Sequence, residues 1–244
     1  MLEPVTQLRI LEASGARARR GGTVAAPDGL PDLLLIERAR AREEPAIEAL
    51  IRRYSRRMFR VACSVLLDED AAESAVQDAH LAAFGDLNRY APAGKFSCWL
   101  TRLAFNQARS LRAGARSAPP GARWQAAGAQ APAPAGAAAD EAQERCELEG
   151  AIGGLPEVFR TVFVLRVVEG ISGIETAASL GVHETTVRTR MYRAQRRLAP
   201  DTARRVRAAP GFLELTPERL DGIVRRVLAQ LPHGSMLTIS TSPP

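Results

Sequence analysis

The spacing of apolar side chains predicts helices over most of the chain. Apolar residues recur every three or four positions in two blocks, Pro31 to Arg112 and Asp140 to Leu198, which is the period of an amphipathic α-helix. The segment between them, Ala113 to Ala139, consists mainly of Ala, Gly and Pro and has too few large apolar side chains to form a core. The pattern therefore predicts an all-α fold class, with two small helical domains joined by a flexible linker.

The predicted organisation has five segments, and the last of them contains one more helix. They are a disordered N-terminal arm (1–30), a first helical domain (31–112), the linker (113–139), a second helical domain (140–200) and a tail (201–244). In the tail, Thr216-Pro217 begins an amphipathic helix whose apolar stripe runs from Leu220 to Leu231. We expect this stripe to pack on the chain's own domains rather than on a partner, because that is the commoner use of such stripes.

Capping residues set the expected ends of the helices in the first block. Asp70 can cap a helix, and Glu73 stands three positions later, where it would close a capping box. Gly85 can end that helix. The last helix of the block is predicted from Phe96 to Arg112.

The second block predicts three helices, of which the last two form a helix-turn-helix unit. The first is apolar on nearly every side from Phe159 to Val168 and ends at Gly170, which can adopt a left-handed conformation. Ser172 can cap a short second helix. The segment Gly181-Val182-His183 has the length of the turn in helix-turn-helix units, and the third helix is predicted from Glu184 to Leu198.

The third helix carries arginines on one face, which favours binding to DNA. Arg190, Arg193 and Arg197 share this face with Thr186. A helix fits the major groove of B-DNA, where the arginine fork pairs with guanine edges or with phosphates. The alternative is a solvated, arginine-rich helix in an all-α protein. The short helix and the glycine turn that precede this helix favour the DNA-binding interpretation.

Composition agrees with a polyanionic partner. Lys and Arg number 33 against 27 Asp and Glu, which gives a net charge of +6, and an anionic membrane surface is the alternative partner. No apolar run is long enough to span a membrane, and the N-terminus lacks the apolar core of a signal peptide, so we expect a cytoplasmic protein with no membrane insertion. The three cysteines lie far apart and are expected to be buried free thiols.

Residue patterns typical of catalysis or metal binding do not occur in the sequence. His80, His183 and His233 are isolated, and no cluster of His, Asp and Glu has the spacing of metal ligands. A phosphate-binding glycine loop and a G-x-S-x-G motif are also missing from the sequence. We therefore expect a protein that is not an enzyme and needs no metal or cofactor.

Two stretches resemble one known family. LPEVFRTVFVLRVVEGIS, followed by LGV and TVRTRMYRAQRRL, is similar to the promoter-reading domain of small bacterial RNA polymerase sigma factors of the extracytoplasmic-function group. DEDAAESAVQDAHLAAFGDLNRY, followed by KFSCWLTRLAFNQARSLR, is similar to the polymerase-binding and promoter-melting domain of the same group. One helix-turn-helix alone would be weak support, whereas both stretches in this order, with a linker between them, are specific. The resemblance implies a subunit that binds core RNA polymerase, directs it to promoter DNA and helps to open the duplex. It also implies that an anti-sigma factor could be a further partner.

The resemblance implies roles for three sets of residues. The set that would bind the polymerase is Asp70, Glu73, Val76, Gln77 and Asp78. A second set would hold single-stranded promoter DNA during melting and lies at the end of the loop Ala91 to Lys95 and along the next helix. It consists of Lys95, Phe96, Ser97, Trp99, Arg102, Asn106 and Arg109. The set that would read duplex DNA is Glu184, Thr185, Thr186, Arg188, Thr189, Arg190 and Arg193.

General chemistry agrees with the single-strand role, although it leaves an alternative open. An aromatic face can stack on an unpaired base while nearby cations contact the backbone. For Phe96 and Trp99 the alternative is packing in the core.

The sequence departs from the family pattern at two places. Ile174 occupies a position that is normally exposed to water, so either the helix register shifts or another element, such as the tail helix, covers this side chain. His183 stands where a serine would more typically cap the DNA-reading helix, so a side-chain cap is in doubt there. The rival interpretation is a dimeric helix-turn-helix regulator that binds an operator without core polymerase.

Overall fold

The regular elements of the structure are helical, which confirms the predicted all-α fold class. The computed structural model describes residues 29–90, 94–114, 137–209 and 211–231. Most of the predicted N-terminal arm, most of the linker, part of the loop before Lys95 and the end of the tail lie outside these residues. The helices are α1 (Asp32–Arg40), α2 (Glu44–Leu66), α3 (Glu69–Gly85), α4 (Phe96–Gly114), α5 (Ala137–Gly153), α6 (Glu157–Phe163), α7 (Gly173–Leu180), α8 (Glu184–Gln195), α9 (Thr202–Ala208) and α10 (Pro217–Gln230).

Helices α2, α3 and α4 pack against one another and form the centre of the first block. The cap of α3 differs from the prediction: the Asp68 carboxylate accepts a hydrogen bond from the Ala71 amide at 2.7 Å, so the helix begins at Glu69 and Asp70 already lies in its first turn. The earlier start follows from Leu67, which ends α2 in a left-handed conformation and turns the chain at once into α3. Gly85 ends α3, as predicted.

The second block contains the predicted helix-turn-helix unit. Helix α6 continues through a π-helical turn, Val164–Val168, and Gly170 follows with a positive φ of 64°. Ser172 and Glu175 form a complete capping box on α7. Gly181 then adopts the left-handed conformation, with a φ of 66°. These features confirm the predicted turn between α7 and α8.

Helix α8 is shorter than predicted because it ends at Gln195 and a turn follows. Its N-cap residue, His183, makes no side-chain capping bond. Ile174 stays 69% exposed, so the expectation that the tail helix or another element covers it is wrong.

The tail helix α10 packs on α2 and α3, which confirms internal packing of its stripe. Ile223 and Val227 are completely buried, and Val224 is nearly so. Thr216 caps the helix and Pro217 opens it, as the sequence predicts. The apolar stripe therefore completes the core of the first block.

The two helical blocks also pack on each other. A single cluster of buried apolar side chains extends from α1 in the first block to α6 in the second and on to α10. Helix α4 lies against α7, and α2 lies against α6. The helix-turn-helix unit is therefore held next to the helix that the family resemblance links to single-stranded DNA.

No helix in the described parts of the chain combines the length and the apolar character that a membrane span requires.

The cysteines differ in burial. Cys63 and Cys98 are buried free thiols, as expected, whereas Cys146 on α5 is exposed.

Candidate functional site

The first candidate surface is the outer face of α8, which we call the recognition surface. It consists of Glu184, Thr185, Thr186, Arg188, Thr189, Arg190 and Arg193. Val187 and Ala194 point inward and are buried, so they fix which face of the helix is presented to solvent. Of the surface residues, Thr186 and Arg190 are half-buried and the other five are exposed.

The arginines of the recognition surface are largely free to take a new partner. The Arg188 guanidinium lies 3.9 Å from the Glu184 carboxylate, one helical turn away, and its side chain is 79% exposed. Such exposed pairs contribute little free energy, on the order of 0.3–0.5 kcal/mol, so a phosphate or a base can displace the carboxylate. Thr189 donates its hydroxyl to the Thr185 carbonyl at 3.0 Å.

Two neighbours of this surface are not among the residues predicted from the sequence. Tyr192 is 58% exposed, and the Arg196 guanidinium donates to its hydroxyl at 3.2 Å and stacks over its ring. Tyr192 stands four residues after Arg188, so helical spacing could have identified it. Beside it, a groove of about 350 Å³ runs along α8, between Gly173 and Gln195.

The second candidate surface is the outer face of α4, which we call the strand surface. It consists of Lys95, Phe96, Ser97, Trp99, Arg102, Asn106 and Arg109. Lys95, Arg102, Asn106 and Arg109 are exposed. Their spacing of seven, four and three residues places them on one stripe of the helix. The stripe can therefore follow the backbone of one nucleic acid strand.

The two aromatic residues of the strand surface differ in exposure. Trp99 is half-buried, with its ring centroid 5.5 Å from that of Phe96 and 5.4 Å from that of Tyr90. Phe96 is only 3% exposed and packs edge-on against Tyr90 at 5.0 Å. The expectation that Phe96 faces a base is wrong in this arrangement, because the core of the first block covers its ring. Phe96 instead positions Trp99.

Acidic residues of the second block contact the strand surface. The Lys95 ammonium donates to the Glu175 carboxylate at 2.6 Å. Together with the two hydrogen bonds from Ser172, this contact lowers the pKa of Glu175 to about 2. The Arg109 guanidinium lies 3.7 Å from the Glu157 carboxylate. Two cations of the strand surface are therefore paired within the chain.

The recognition and strand surfaces also adjoin directly. Gly181, in the helix-turn-helix turn, lies so close to Arg102 that a Cβ atom there would be 2.9 Å from the guanidinium. A cavity of about 150 Å³ between the blocks is lined by Phe105, Arg109 and Arg190, together with residues of α6 and α7. The structure therefore brings together cations that the sequence assigns to two different surfaces.

The third candidate surface is the acidic face of α3, which we call the acidic surface. The sequence predicts that it consists of Asp70, Glu73, Val76, Gln77 and Asp78. Asp70 and Asp78 are exposed, whereas Glu73 and Gln77 are half-buried. Val76 is completely buried, so the expectation that it contacts a partner is wrong. Its neighbours along the helix, Ala72, Ala75 and Ala79, are also completely buried, and they place this face toward α2 and α4.

Two arginines of the tail helix lie on the acidic surface. Arg219 bridges Asp70 and Glu73, with N–O distances of 2.8 and 2.5 Å. Arg226 also pairs with Glu73. The sequence pattern does not predict these contacts, because the apolar stripe of the tail indicates only that the helix packs and not where its charged face lies.

Two family models match the chain in the regions that contain these surfaces. "Sigma-70 region 2" matches residues 50–117, which include the acidic and strand surfaces. "Sigma-70, region 4" matches residues 147–198, which include the recognition surface. The two matches do not overlap, and they leave the tail helix outside both.

Several named proteins are similar to this chain along much of its length. The ECF RNA polymerase sigma factor SigE of Mycolicibacterium smegmatis is 29% identical over 157 residues, which cover 63% of this chain and 60% of SigE. The RNA polymerase sigma-H factor of Pseudomonas aeruginosa is 28% identical, with 67% of this chain and 90% of that protein covered. For the ECF RNA polymerase sigma-E factor of Escherichia coli K12 the identity is 27%, with 68% and 91% covered.

Among solved structures, the following is similar in fold. It is CnrH in complex with the cytosolic domain of CnrY, with a TM-score of 0.52 and 26% identity over 68% of this chain and 93% of that chain. The similar structure, the two region matches and the named relatives all point to the same kind of protein, an RNA polymerase sigma factor. The chain thus contains regions that match sigma-70 regions 2 and 4, and it is similar over 63% to 68% of its length to extracytoplasmic-function RNA polymerase sigma factors.

Proposed function

We propose that this chain binds core RNA polymerase, directs it to specific promoters and helps to open the DNA at the start site. The observation that carries this proposal is that regions 2 and 4 of the sigma-70 family occur in one chain and in that order. Members of this family are regulatory subunits, and we assign no catalytic step, metal or cofactor to this chain. Because RNA polymerase works in the bacterial cytoplasm, the proposal also places the chain there.

The recognition surface would read duplex DNA. Helix α8 presents Arg188 and Arg193 to solvent, and the exposed Thr185 and Thr189 lie on the same helix. An arginine that makes a bidentate bond to guanine discriminates between bases by about 1–3 kcal/mol. Thr185 and Thr189 have short side chains that allow the helix backbone to come near the phosphates.

The strand surface would hold one strand after the duplex opens. Trp99 offers a half-buried ring beside the cations of α4, and a base that stacks on such a ring gains about 1–3 kcal/mol. Holding the unpaired strand offsets the cost of unstacking, so no ATP is needed. Lys95 must then exchange Glu175 for the DNA backbone, and α7 must move away from α4.

The acidic surface would bind the polymerase. We propose Asp70, Glu73, Gln77 and Asp78 for this contact and exclude the buried Val76. Asp78 is the most useful of them for a test, because it is exposed and no described residue forms an ion pair with it. An anti-sigma factor is a further proposed partner, which the family resemblance implies.

The first experiment measures binding to purified bacterial core RNA polymerase. The full chain is mixed with core enzyme and separated by size-exclusion chromatography at moderate salt. We expect the wild type to co-elute and Asp78→Lys to lose most of this binding. Glu141→Lys, which makes the same change of charge on the exposed side of α5, is the matched control and should bind like the wild type.

The second experiment selects DNA with the assembled complex. Random duplexes that bind the chain together with core polymerase are sequenced, and we expect enrichment of a two-part motif. Arg188→Ala should weaken binding to the selected DNA by about tenfold and relax the preference in the upstream part. Arg207→Ala, an exposed arginine on α9, is the control. A stable dimer that binds a palindrome without core polymerase would instead establish the regulator interpretation.

A further inference from the structure

We propose that the C-terminal helix α10 is a built-in competitor of core RNA polymerase, because it occupies the acidic surface on α3. This inference rests on the proposed function, since that surface is the one assigned to polymerase binding. It adds a regulatory role for a segment that both family matches leave out.

Arg219 makes the principal contact. Its guanidinium donates to Glu73 Oε2 at 2.5 Å and to Asp70 Oδ1 at 2.8 Å, and it lies 3.6 Å from Glu69. The Arg219 side chain is only 18% exposed and that of Glu73 only 13%. One arginine thus contacts three carboxylates at the start of α3.

Arg226 occupies the other side of Glu73. Its guanidinium pairs with Glu73 Oε1, so both carboxylate oxygens of Glu73 are bound by the tail. The Gln77 amide oxygen accepts from the same guanidinium at 2.7 Å in the amide orientation that suits both groups. The Glu73 carboxylate and the Gln77 amide oxygen are therefore both occupied while α10 stays in place.

The spacing of these contacts follows from the helix itself. Arg219 and Arg226 are seven residues apart, which places them on the same face two turns from each other. Gly222 lies between them, and a Cβ atom there would be 3.9 Å from Glu73, so this side of α10 comes close to α3. The two arginines of α10 therefore lie opposite the acidic residues that they contact on α3.

The rest of α10 determines how firmly the arginines are held. Ile223 and Val227 are completely buried against α2 and α3, and Asp221 accepts from Arg52 of α2 at 2.8 Å. However, Asp70 keeps 76% of its side chain exposed, and Asp78 is also exposed. An incoming polymerase can therefore make first contact with these two residues and then displace the tail.

Displacement of this kind lowers the apparent affinity for polymerase without abolishing it. Consider a partner that binds only the form in which α10 is displaced. Its apparent dissociation constant equals the intrinsic constant divided by the fraction of molecules in that form. If the tail is displaced in about one molecule in ten, the affinity falls about tenfold. Weakening the contacts of Arg219 and Arg226 should therefore raise the affinity for polymerase by the same factor.

The test compares the affinities of three full-length proteins for core RNA polymerase. The double variant Arg219→Ala, Arg226→Ala removes the contacts with the acidic surface and leaves that surface unchanged. Arg225→Ala, an exposed arginine on the same helix, is the matched control. We expect the double variant to bind core enzyme about tenfold more tightly than the wild type, whereas Arg225→Ala binds like the wild type.

The outcomes separate this inference from the proposed function. If all three proteins bind core polymerase with equal affinity, the competitor role is wrong and the sigma-factor function stands. If none of them binds at any concentration, the proposed function fails and the inference fails with it. Circular dichroism verifies that the double variant keeps its helical content.

A second measurement uses the unmodified chain and so does not depend on how a variant folds. Hydrogen–deuterium exchange is followed by mass spectrometry with and without core RNA polymerase. We expect amides of α3 to exchange more slowly in the complex, while those of residues 217–230 exchange at least tenfold faster because α10 has been displaced. If α10 stays as protected in the complex as in the free chain, the tail does not compete for this surface.

Discussion

Gly181 is a single residue on which the geometry of both the recognition surface and the strand surface depends. Its φ of 66° allows the tight turn that sets α8 against α7. Its missing side chain also leaves room for Arg102 of the strand surface. Any larger residue would strain the backbone and push against the guanidinium.

We expect Gly181→Ala to destabilise the chain by about 1 kcal/mol, because an L-residue with a side chain is strained at a positive φ. The free energy of unfolding is measured by urea denaturation. Gly85→Ala is the control, since that glycine ends α3 and a Cβ atom added there would meet no other atom within 4 Å. Equal stability of the Gly181→Ala variant and the wild type would mean that this turn can adopt another conformation.

Glu149 is a second residue whose surroundings have a measurable consequence. Burial raises the pKa of this α5 carboxyl from its ordinary 4.5 to about 7, Arg145 opposes the shift and the charge of Glu69 adds to it. The folded state therefore holds the proton more tightly than the unfolded state. The wild type must lose stability as the pH rises from 4.5 through 7, because ionisation then occurs more readily in the unfolded chain.

The variant Glu149→Gln should remove this loss. We expect it to match the wild type near pH 5 and to melt about 2 to 4 °C higher at pH 8, which corresponds to about 1 kcal/mol. Thermal denaturation at both pH values measures the difference, and Glu141→Gln provides the same chemical change at an exposed position on α5. A gain that is the same at both pH values would contradict the assigned cause.

At the scale of elements, α7 shows how local signals define the helix-turn-helix unit. The Ser172 hydroxyl accepts from the Glu175 amide at 3.2 Å, and the Glu175 carboxylate accepts from the Ser172 amide at 3.0 Å. The same carboxylate also binds Lys95 of the strand surface. The cap thus joins the start of α7 to α4.

We expect Ser172→Ala to lower the free energy of unfolding by about 1 kcal/mol, which is typical for the loss of a helix cap. Ser74→Ala on α3 is the matched control. The Ser74 hydroxyl donates only to the Asp70 carbonyl of its own helix, so this change should be nearly neutral. Urea denaturation of both variants makes the comparison. Equal stability of the two would show that α7 does not depend on its cap.

The contrast between α7 and α3 explains which elements could be predicted from the sequence. Serine, glutamate and glycine at fixed spacings set the ends of α7, so the sequence predicts its cap and the turn at Gly181 correctly. On α3, two acidic residues compete for the cap, and Asp68 rather than Asp70 has it because α2 ends at Leu67. Neighbouring residues therefore decide a boundary that the local pattern leaves open.

Burial of candidate site residues could not be predicted in the same way. Val76 and Phe96 lie in the core because α3 and α4 pack together there, a fact that the periodicity of a single helix does not contain. The contacts of Arg219 and Arg226 likewise join residues about 150 positions apart. Long-range packing, rather than any local motif, decides which part of each surface is free.

At the scale of the whole molecule, ion pairs and a buried arginine hold the two helical blocks together. Arg160 of α6 is 2% exposed and donates to backbone carbonyls of Gly153 at 2.7 Å and Leu155 at 2.8 Å, and also to that of Ser64 in α2. Burial lowers the pKa of its guanidinium to about 10, so the group remains charged at neutral pH. The arrangement that brings α4 against α7 is thus a specific interface.

Glu169 makes a further strong contact between the blocks, and a charge reversal there tests its contribution. Its carboxylate is only 9% exposed and binds Arg57 at 3.2 Å and Arg60 at 2.7 Å, both from α2. Glu169→Arg would place three guanidinium groups together with no counter-charge. Breaking a buried pair in this way costs about 3 kcal/mol, which is enough to shift an equilibrium about a hundredfold toward separated blocks. Small-angle X-ray scattering should then show a larger radius of gyration than in the wild type, while circular dichroism shows unchanged helix content. Glu141→Arg is the control for the change of charge. If Glu169→Arg scatters like the wild type, the remaining contacts between the blocks are sufficient to hold them together, and the strand surface cannot be freed by weakening the Glu169 ion pairs.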